Sequence, residues 1–407
     1  MELLLACCKA FLHKEDGTHI RLLSHDHIDW NAFITLVDWH RLSPIVYRTL
    51  NRVASDGVPE HVLDNLRVRF EKNTRRSLEL TSELVRLLKL LWREKIFVLP
   101  LKGPVLALQV YGNLSFRHAG DLDLLIPPQY VRRADQLLRE NGYRRVSPSF
   151  ELTSRQHVRF LHIRSDFHYI RNQSGLKVDL QWRWSYNPYL FSLDVDYVRN
   201  RLQTTQIAGT SVKTLSHKDS VLYLCSHGAK HAWFRLFWLC DLAEILSMNY
   251  AVDWAEVMAN AAKLDVQNAV AEGFLLSKLL FGIALPEPVE AYLEKNRVVT
   301  GLIKLALRII KQPSDPSDHS LTSRNFLLLL HRFMLPSDLG HKLGECLIVS
   351  TQPNDWRTVP LPAALSSLYY LLRPLIWFWG CYVKGLPSWP HVASSGRTKN
   401  SGTDMTA

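Results

Sequence analysis

The sequence predicts an α+β fold: a small mixed β-sheet core flanked by an N-terminal helical arm and a C-terminal helical domain. Three observations predict it. Apolar residues recur near every 3.6 positions up to about residue 95, and again after about residue 215. Between these regions, short apolar runs end in Gly, Pro or Asn, and one of them alternates acidic with apolar positions, the period of a strand. No internal repeat and no Gly-rich phosphate loop of the Walker or Rossmann type breaks this order.

The order divides the 407 residues into a helical region over 1–95, an α/β core over 96–210, a helical domain over 211–390 and a disordered tail over 391–407. In the first region, Leu66, Phe70, Leu78, Leu84, Leu87, Leu88 and Leu91 form an amphipathic stripe. The basic cluster Arg67, Arg69, Lys72, Arg75 and Arg76 reads as its solvated face. The core opens with Ile96–Leu101, a strand running into a turn at Lys102-Gly103-Pro104. A helix follows over Val105–Tyr111, then a strand at Asp121–Ile126 stopped by Pro127-Pro128. A helix over Gln129–Glu140 stops at Asn141-Gly142. Phe167–Arg171 and Leu176–Trp182 flank Asn172–Gly175 as a hairpin. Further on, His217–Trp238, Trp254–Leu264, Gln267–Phe281 and Val298–Ile310 carry helical periodicity.

Composition is that of an ordinary globular protein, with 47% hydrophobic and 21% charged residues. It excludes a small stapled scaffold, a collagen-like fibre and a mainly disordered chain. The net charge of +11 favours a polyanionic partner: nucleic acid, an anionic membrane or a phosphate-rich small molecule. Six cysteines without C-x-x-C spacing fit a reducing cytoplasm better than a disulfide framework. The start of the chain lacks the basic n-region of an export signal. Phe326–Leu335 is too short to span a bilayer. The apolar stretch 365–383 is long enough, but Arg373 and Pro374 at its centre favour a broken buried helix pair. Trp377, Phe378 and Trp379 leave a peripheral membrane contact as the alternative.

The chemistry concentrates on Asp121, Asp123 and Asp179. Asp121 and Asp123 share one face of a strand, and two carboxylates on one face repel unless a cation lies between them. A divalent metal meets that need, with phosphate oxygens completing the shell of Mg²⁺. Asp179, on a second strand, supplies a third carboxylate. The structural alternative for an isolated D-x-D is a solvated strand edge.

The surrounding residues decide between them. Leu99-Pro-Leu-Lys102-Gly103-Pro, Tyr111-Gly, Arg117, Asp121-Leu-Asp-Leu-Leu-Ile and Gly142-Tyr143 closely resemble the uncharacterised nucleotidyltransferase family of the polymerase-β-like superfamily. His40-Arg-Leu-Ser-Pro44-Ile-Val-Tyr47 upstream matches too, as do Val178-Asp-Leu-Gln-Trp182 and His227-Gly-Ala-Lys230-His231 with Trp238 and Asp241 downstream. Two departures stand out. The superfamily turn usually carries Gly-Ser or Gly-Gly, where this chain has Gly103-Pro104. The strand of the third acid often carries His two residues on, where this chain has Gln181.

The resemblance implies metal-dependent transfer of an NMP group from an NTP to an acceptor hydroxyl of a small molecule or protein, with release of pyrophosphate. Asp121, Asp123 and Asp179 would then be catalytic and hold two Mg²⁺ ions, with Mn²⁺ as a substitute. Lys102, Gly103 and Arg117 would bind the nucleotide, Gly103 by admitting the backbone to the phosphates. His227, Lys230 and His231 are expected on one helix face as phosphate or acceptor contacts, with Asp241 pairing one of them. The zinc reading of that spacing fails, because residue 228 is Gly where H-E-x-x-H needs its glutamate. Two other functions compete: an RNA-directed transferase, which the charge permits without any nucleic-acid motif, and a non-catalytic nucleotide-binding or membrane-associated assembly module.

Overall fold

The start of the chain folds into α1 (Glu2–Leu12), α2 (Thr18–Ser24), α3 (Trp30–His40) and α4 (Ser43–Val53). Asp29 caps α3 by accepting the Ala32 N–H at 2.9 Å. Arg41 ends α3 in the left-handed conformation. The computed structural model describes residues 1–24, 27–184, 198–248, 252–312 and 323–349, with Trp356, Val359, Leu368, Tyr369 and Leu372. The tail 391–407, residues 313–318, whose Pro, Ser and Asp content predicts a loop, and most of the apolar stretch 365–383 lie outside the described residues. Among the described residues, no helix is long and apolar enough to cross a membrane.

Helix α5 (Glu60–Arg93) runs for 34 residues. Leu66, Leu84, Leu87, Leu88 and Leu91 are buried as the periodicity predicts, whereas Leu78 is exposed and Leu80 takes its place inside. In the basic cluster Arg67 pairs with Asp64, Arg75 with Glu71 and Arg76 with Glu79 along α5, and Arg69 reaches across to Asp38 of α3.

The core sheet has β1 (Leu99–Pro100), β2 (Leu122–Leu125), β3 (Tyr143–Ser147), β4 (Asp166–Arg171) and β5 (Lys177–Gln181), in the order β1-β2-β5-β4-β3. Only β2 and β5 run parallel. Helices α6 (Gly103–Tyr111), α7 (Val131–Glu140) and α8 (Ser154–Ile163) connect the strands. A separate hairpin, β6 (Gln203–Ile207) and β7 (Thr210–Thr214), follows.

Alternation along the strands gives the sheet two unlike faces. Leu122, Leu124, Phe167, Tyr169, Val178 and Leu180 pack with α5 and α7 in one hydrophobic core. The opposite face carries Asp123, Asp179, Gln181 and His168.

The helical domain follows as α9 (His217–Lys230), α10 (Leu236–Ser247), α11 (Trp254–Lys263), α12 (Gln267–Phe281), α13 (Glu287–Lys295), α14 (Arg297–Ile310), α15 (Ser323–Met334) and α16 (Leu339–Val349), and α9 brings Tyr223 and His227 to Lys102 at the edge of that polar face. Helices from both ends of the chain share a second core, in which Leu4, Val46 and Leu50 meet Leu239, Phe274 and Leu302.

The helix expected over residues 217–238 is in fact two. Its backbone turns at Ala232 (φ 47°) and Trp233 (φ 52°), and the Trp233 N–H closes on the Gly228 carbonyl at 2.9 Å. Trp233 then folds back against α9. A Cβ at residue 228 would lie 2.3 Å from its ring, so only glycine admits this packing. The burial of one large aromatic overrides the helical propensity of the segment.

Candidate active site

Strand pairing assembles the carboxylates. In the parallel β2–β5 pair, Asp123 lies beside Asp179. In the antiparallel β4–β5 pair, Asp179 lies beside His168. Asp123, Asp179 and His168 therefore form one row across three strands, with Asp121 just before β2 and Gln181 just after Asp179 on the same face.

Each carboxylate in the row has its own donor. Gln181 donates to Asp123 Oδ1 at 2.8 Å. The Lys102 ammonium lies 3.2 Å from the same oxygen, and both side chains are buried. His168 Nδ1 lies 2.6 Å from Asp179 Oδ1, with Nε2 3.7 Å from Asp166. Burial drives the Asp123 carboxyl up to about 7, with Asp121 and Asp179 adding to the rise against the pull of Lys102. Burial also raises Asp179, opposed by His168. Burial works against a charged His168, yet the Asp179 and Asp166 carboxylates lift it to about 10. Lys102 is held above the ordinary lysine range: burial opposes its charge, and Asp123, Tyr223 and Asp121 more than offset that.

The turn after β1 places Lys102 there. The Leu101 N–H bonds the Asp123 carbonyl at 3.0 Å. Gly103 follows with φ +67°, a conformation that strains any side chain. Arg117, expected at the nucleotide, is buried, donates to Asp241 Oδ2 at 2.9 Å and lies over the Phe237 ring. Asp241 also accepts the Tyr111 hydroxyl at 2.9 Å. It thus pairs with Arg117 and Tyr111, not with the His/Lys strip as expected. The buried guanidinium wins because it alone needs a full counter-charge at that place.

The strip itself is divided. His227 reaches the site, with Nε2 3.4 Å from Lys102 Nζ. His231 lies just past the end of α9 rather than on it, and stacks on Trp238 with ring centroids 5.0 Å apart. The two imidazoles still touch, at 5.0 Å between centroids. Burial pushes both well below the usual histidine range, with Lys102 lowering His227 and Lys230 lowering His231 further, so both are neutral at pH 7. Lys230 closes α9, and its carbonyl accepts from Arg332 at 2.8 Å.

Three site residues escaped the sequence reading. His168 was legible from hairpin arithmetic: with Arg171 and Leu176 flanking the turn, Ile170 pairs Lys177, and His168 then falls opposite Asp179. Tyr223, whose ring lies 5.7 Å from Lys102 Nζ, sits one turn before His227. Arg41 is brought to Asp121 and Gly120 only by tertiary packing: its Nη1 is 3.8 Å from where a Gly120 Cβ would lie.

The donor set suits a hard divalent cation, since Asp121, Asp123 and Asp179 offer carboxylate oxygens. Among the described residues, however, no three His, Cys, Asp or Glu side chains converge closely enough to hold one. Lys102 on Asp123 and His168 on Asp179 neutralise those carboxylates from within.

No curated protein and no solved structure matches the chain. A family model described as uncharacterised nucleotidyltransferase matches residues 26–282, a span holding every candidate site residue named above except Arg332. The chain therefore belongs to the uncharacterised nucleotidyltransferase family.

Proposed function

We propose that the protein is a metal-dependent nucleotidyltransferase that moves an NMP group from an NTP to an acceptor hydroxyl. The observation that carries this reading is the row Asp123–Asp179 on a sheet face closed over by Tyr223 and His227, with the Lys102-Gly103 turn at its edge. Asp121, Asp123 and Asp179 would hold Mg²⁺, which when bound lowers the acceptor's pKa and offsets charge on the leaving pyrophosphate. Lys102 leaves Asp123 for the triphosphate, a stronger anion. Gly103 lets the backbone approach those phosphates. Asp179, its basicity raised by burial, takes the acceptor's proton as the new oxygen–phosphorus bond forms and the bond to pyrophosphate breaks. Arg117 serves here through Asp241, fixing the loop before β2 and adding positive potential.

The test is incubation with α-labelled NTPs and Mg²⁺. Label should pass to an acceptor with release of pyrophosphate, and Asp121→Ala should abolish both while leaving the melting profile intact. Nucleotide binding that Asp121→Ala and Asp123→Ala both leave unchanged would sink the reading. One observation favours a second reading, a non-catalytic nucleotide-binding module: Lys102 already occupies Asp123. Under that reading Lys102 and Asp123 stay paired when nucleotide and Mg²⁺ are both present.

A further inference from the structure

We infer that α14, α15 and α16 form a peripheral docking surface for an anionic lipid bilayer. The inference goes beyond the nucleotidyltransferase reading and does not depend on it, since the three helices lie past residue 282, where the match to the family ends. Five large apolar side chains stand outward: Phe326, Leu330 and Phe333 on α15, Leu339 and Leu343 on α16, each between 37% and 68% exposed. Exposed apolar residues scattered singly are ordinary, whereas five within the stretch 326–343 form a ridge. The ridge is not a core face that has come loose, because α15 is anchored from within. His331 is wholly buried with Nε2 2.6 Å from Glu272 Oε1 of α12, and Arg332 donates to the Lys230 carbonyl at 2.8 Å. Phe326, Leu330 and Phe333 each lie about 100° or more round the helix from His331 and within about 60° of one another.

A basic face borders this ridge. Arg297, Lys304 and Arg308 of α14, with Lys311 just past its end, are exposed, while Val299, Leu302, Ala306 and Ile310 point into the core. The helix contains neither Asp nor Glu. Among the described residues, none of the four cations forms an ion pair with an acid. Gly301 joins the face to the ridge: a Cβ there would lie 3.0 Å from Met334 Cε, so the seam between α14 and α15 passes these two positions. Arg297 and Lys304 stand one turn to either side of Gly301 and Arg308 two turns on, and Leu330 stands one turn before Met334, so cations and ridge flank the same seam. Lys342 of α16 adds a cation, its Nζ 5.9 Å from the centre of the Phe333 ring. The Asp338 carboxylate is engaged at the start of α16, where it accepts the His341 N–H at 3.1 Å. Apolar side chains flanked by Lys and Arg suit a bilayer whose acyl boundary takes the former and whose anionic headgroups take the latter. A second copy of this chain would set the same cations against one another in a two-fold contact.

Co-sedimentation of the full chain tests this, with vesicles of phosphatidylcholine alone or of equal parts phosphatidylcholine and phosphatidylglycerol. The wild type should bind the mixed vesicles and not the neutral ones. Binding should weaken as salt shortens the Debye length from about 10 Å at 0.1 M to about 3 Å at 1 M. A cation near an anionic surface is worth about a fivefold gain, so Lys304→Ala combined with Arg308→Ala should weaken binding about 25-fold. Phe326→Ser combined with Leu330→Ser withholds apolar area from the bilayer and should weaken it at least about tenfold. Both double variants should keep the wild-type melting profile, because all four side chains are exposed. A wild type that ignores the mixed vesicles, or binding that neither variant weakens, would overturn the inference. Binding lost only in the alanine variant, and matched by equally tight binding of single-stranded RNA, would assign the cations to nucleic acid and overturn it too. A dimer in sedimentation velocity that the serine variant dissociates would give the ridge to a second copy instead.

Discussion

Replacing Lys102 by methionine keeps the length of the side chain and removes its charge from beside Asp123. The two groups are 3.2 Å apart and buried. With Lys102 present, Asp123 already titrates at about 7 rather than 3.8, because burial and two neighbouring carboxylates outweigh the cation. A carboxyl whose folded pKa lies above its unfolded value gives stability that is complete below the unfolded pKa and is lost as pH rises, until the folded pKa is passed. In the wild type that loss ends near pH 7. Without Lys102 the folded pKa lies higher, so the variant goes on losing stability where the wild type has stopped. Each pH unit over which the variant's carboxyl stays protonated after the wild type's has ionised costs the variant about 1.4 kcal/mol relative to wild type. Any difference between lysine and methionine packing is independent of pH and leaves the slope unchanged. Urea denaturation of both proteins at pH 6, 7, 8 and 9 reads it directly: the stabilities should run parallel below pH 7 and diverge above. A constant difference over the whole range would refute the electrostatic account.

Two further perturbations test the frame around the site. Gly228→Ala drives a methyl group into the Trp233 ring, 2.3 Å away, and should cost about 1–3 kcal/mol of unfolding free energy with a shift in tryptophan fluorescence; an unchanged denaturation midpoint would show that the ring is free to move. Asp241→Asn removes the counter-charge of buried Arg117 and should cost about 3–5 kcal/mol, measured by denaturant titration; a loss below about 1 kcal/mol, the range of exposed pairs, would show that Arg117 is neutralised elsewhere.

The parts of the fold with local signatures were legible in the sequence. The acidic alternation of 121–126 forms β2, Asn141-Gly142 ends α7, and the turn at 172–175 joins β4 to β5. The Lys102-Gly103 turn follows β1 as expected, and Gly103 takes the positive φ that makes glycine necessary. Elements without such signatures were missed. Strand β3, Tyr143-Arg-Arg-Val-Ser147, is too polar to stand out and is fixed by pairing with β4. The hairpin β6–β7 alternates, but mostly in Thr, Gln and Lys, with few apolar residues to mark it. The break after Lys230 follows from where Trp233 packs, which no local pattern encodes. The site divides in the same way. The residue types of Asp121, Asp123 and Asp179 announce their chemistry, whereas the partners of Arg117 and Asp179 depend on which strands and helices become neighbours.

The shared core of the terminal helices has a consequence for synthesis. The imidazole of His13, just past α1, hydrogen-bonds the carbonyl of Phe281, 268 positions further along the chain, at 2.7 Å. At about 5–20 residues per second, a ribosome takes roughly 13–54 s to bridge that interval. Throughout it, α1 waits for α12, one of the helices it packs against. The sheet core, drawn from residues between Leu80 and Val212 apart from Trp356 and Tyr369, lies within a shorter stretch. The strands bearing the carboxylates are therefore synthesised before Tyr223 and His227, which approach them from the helical domain.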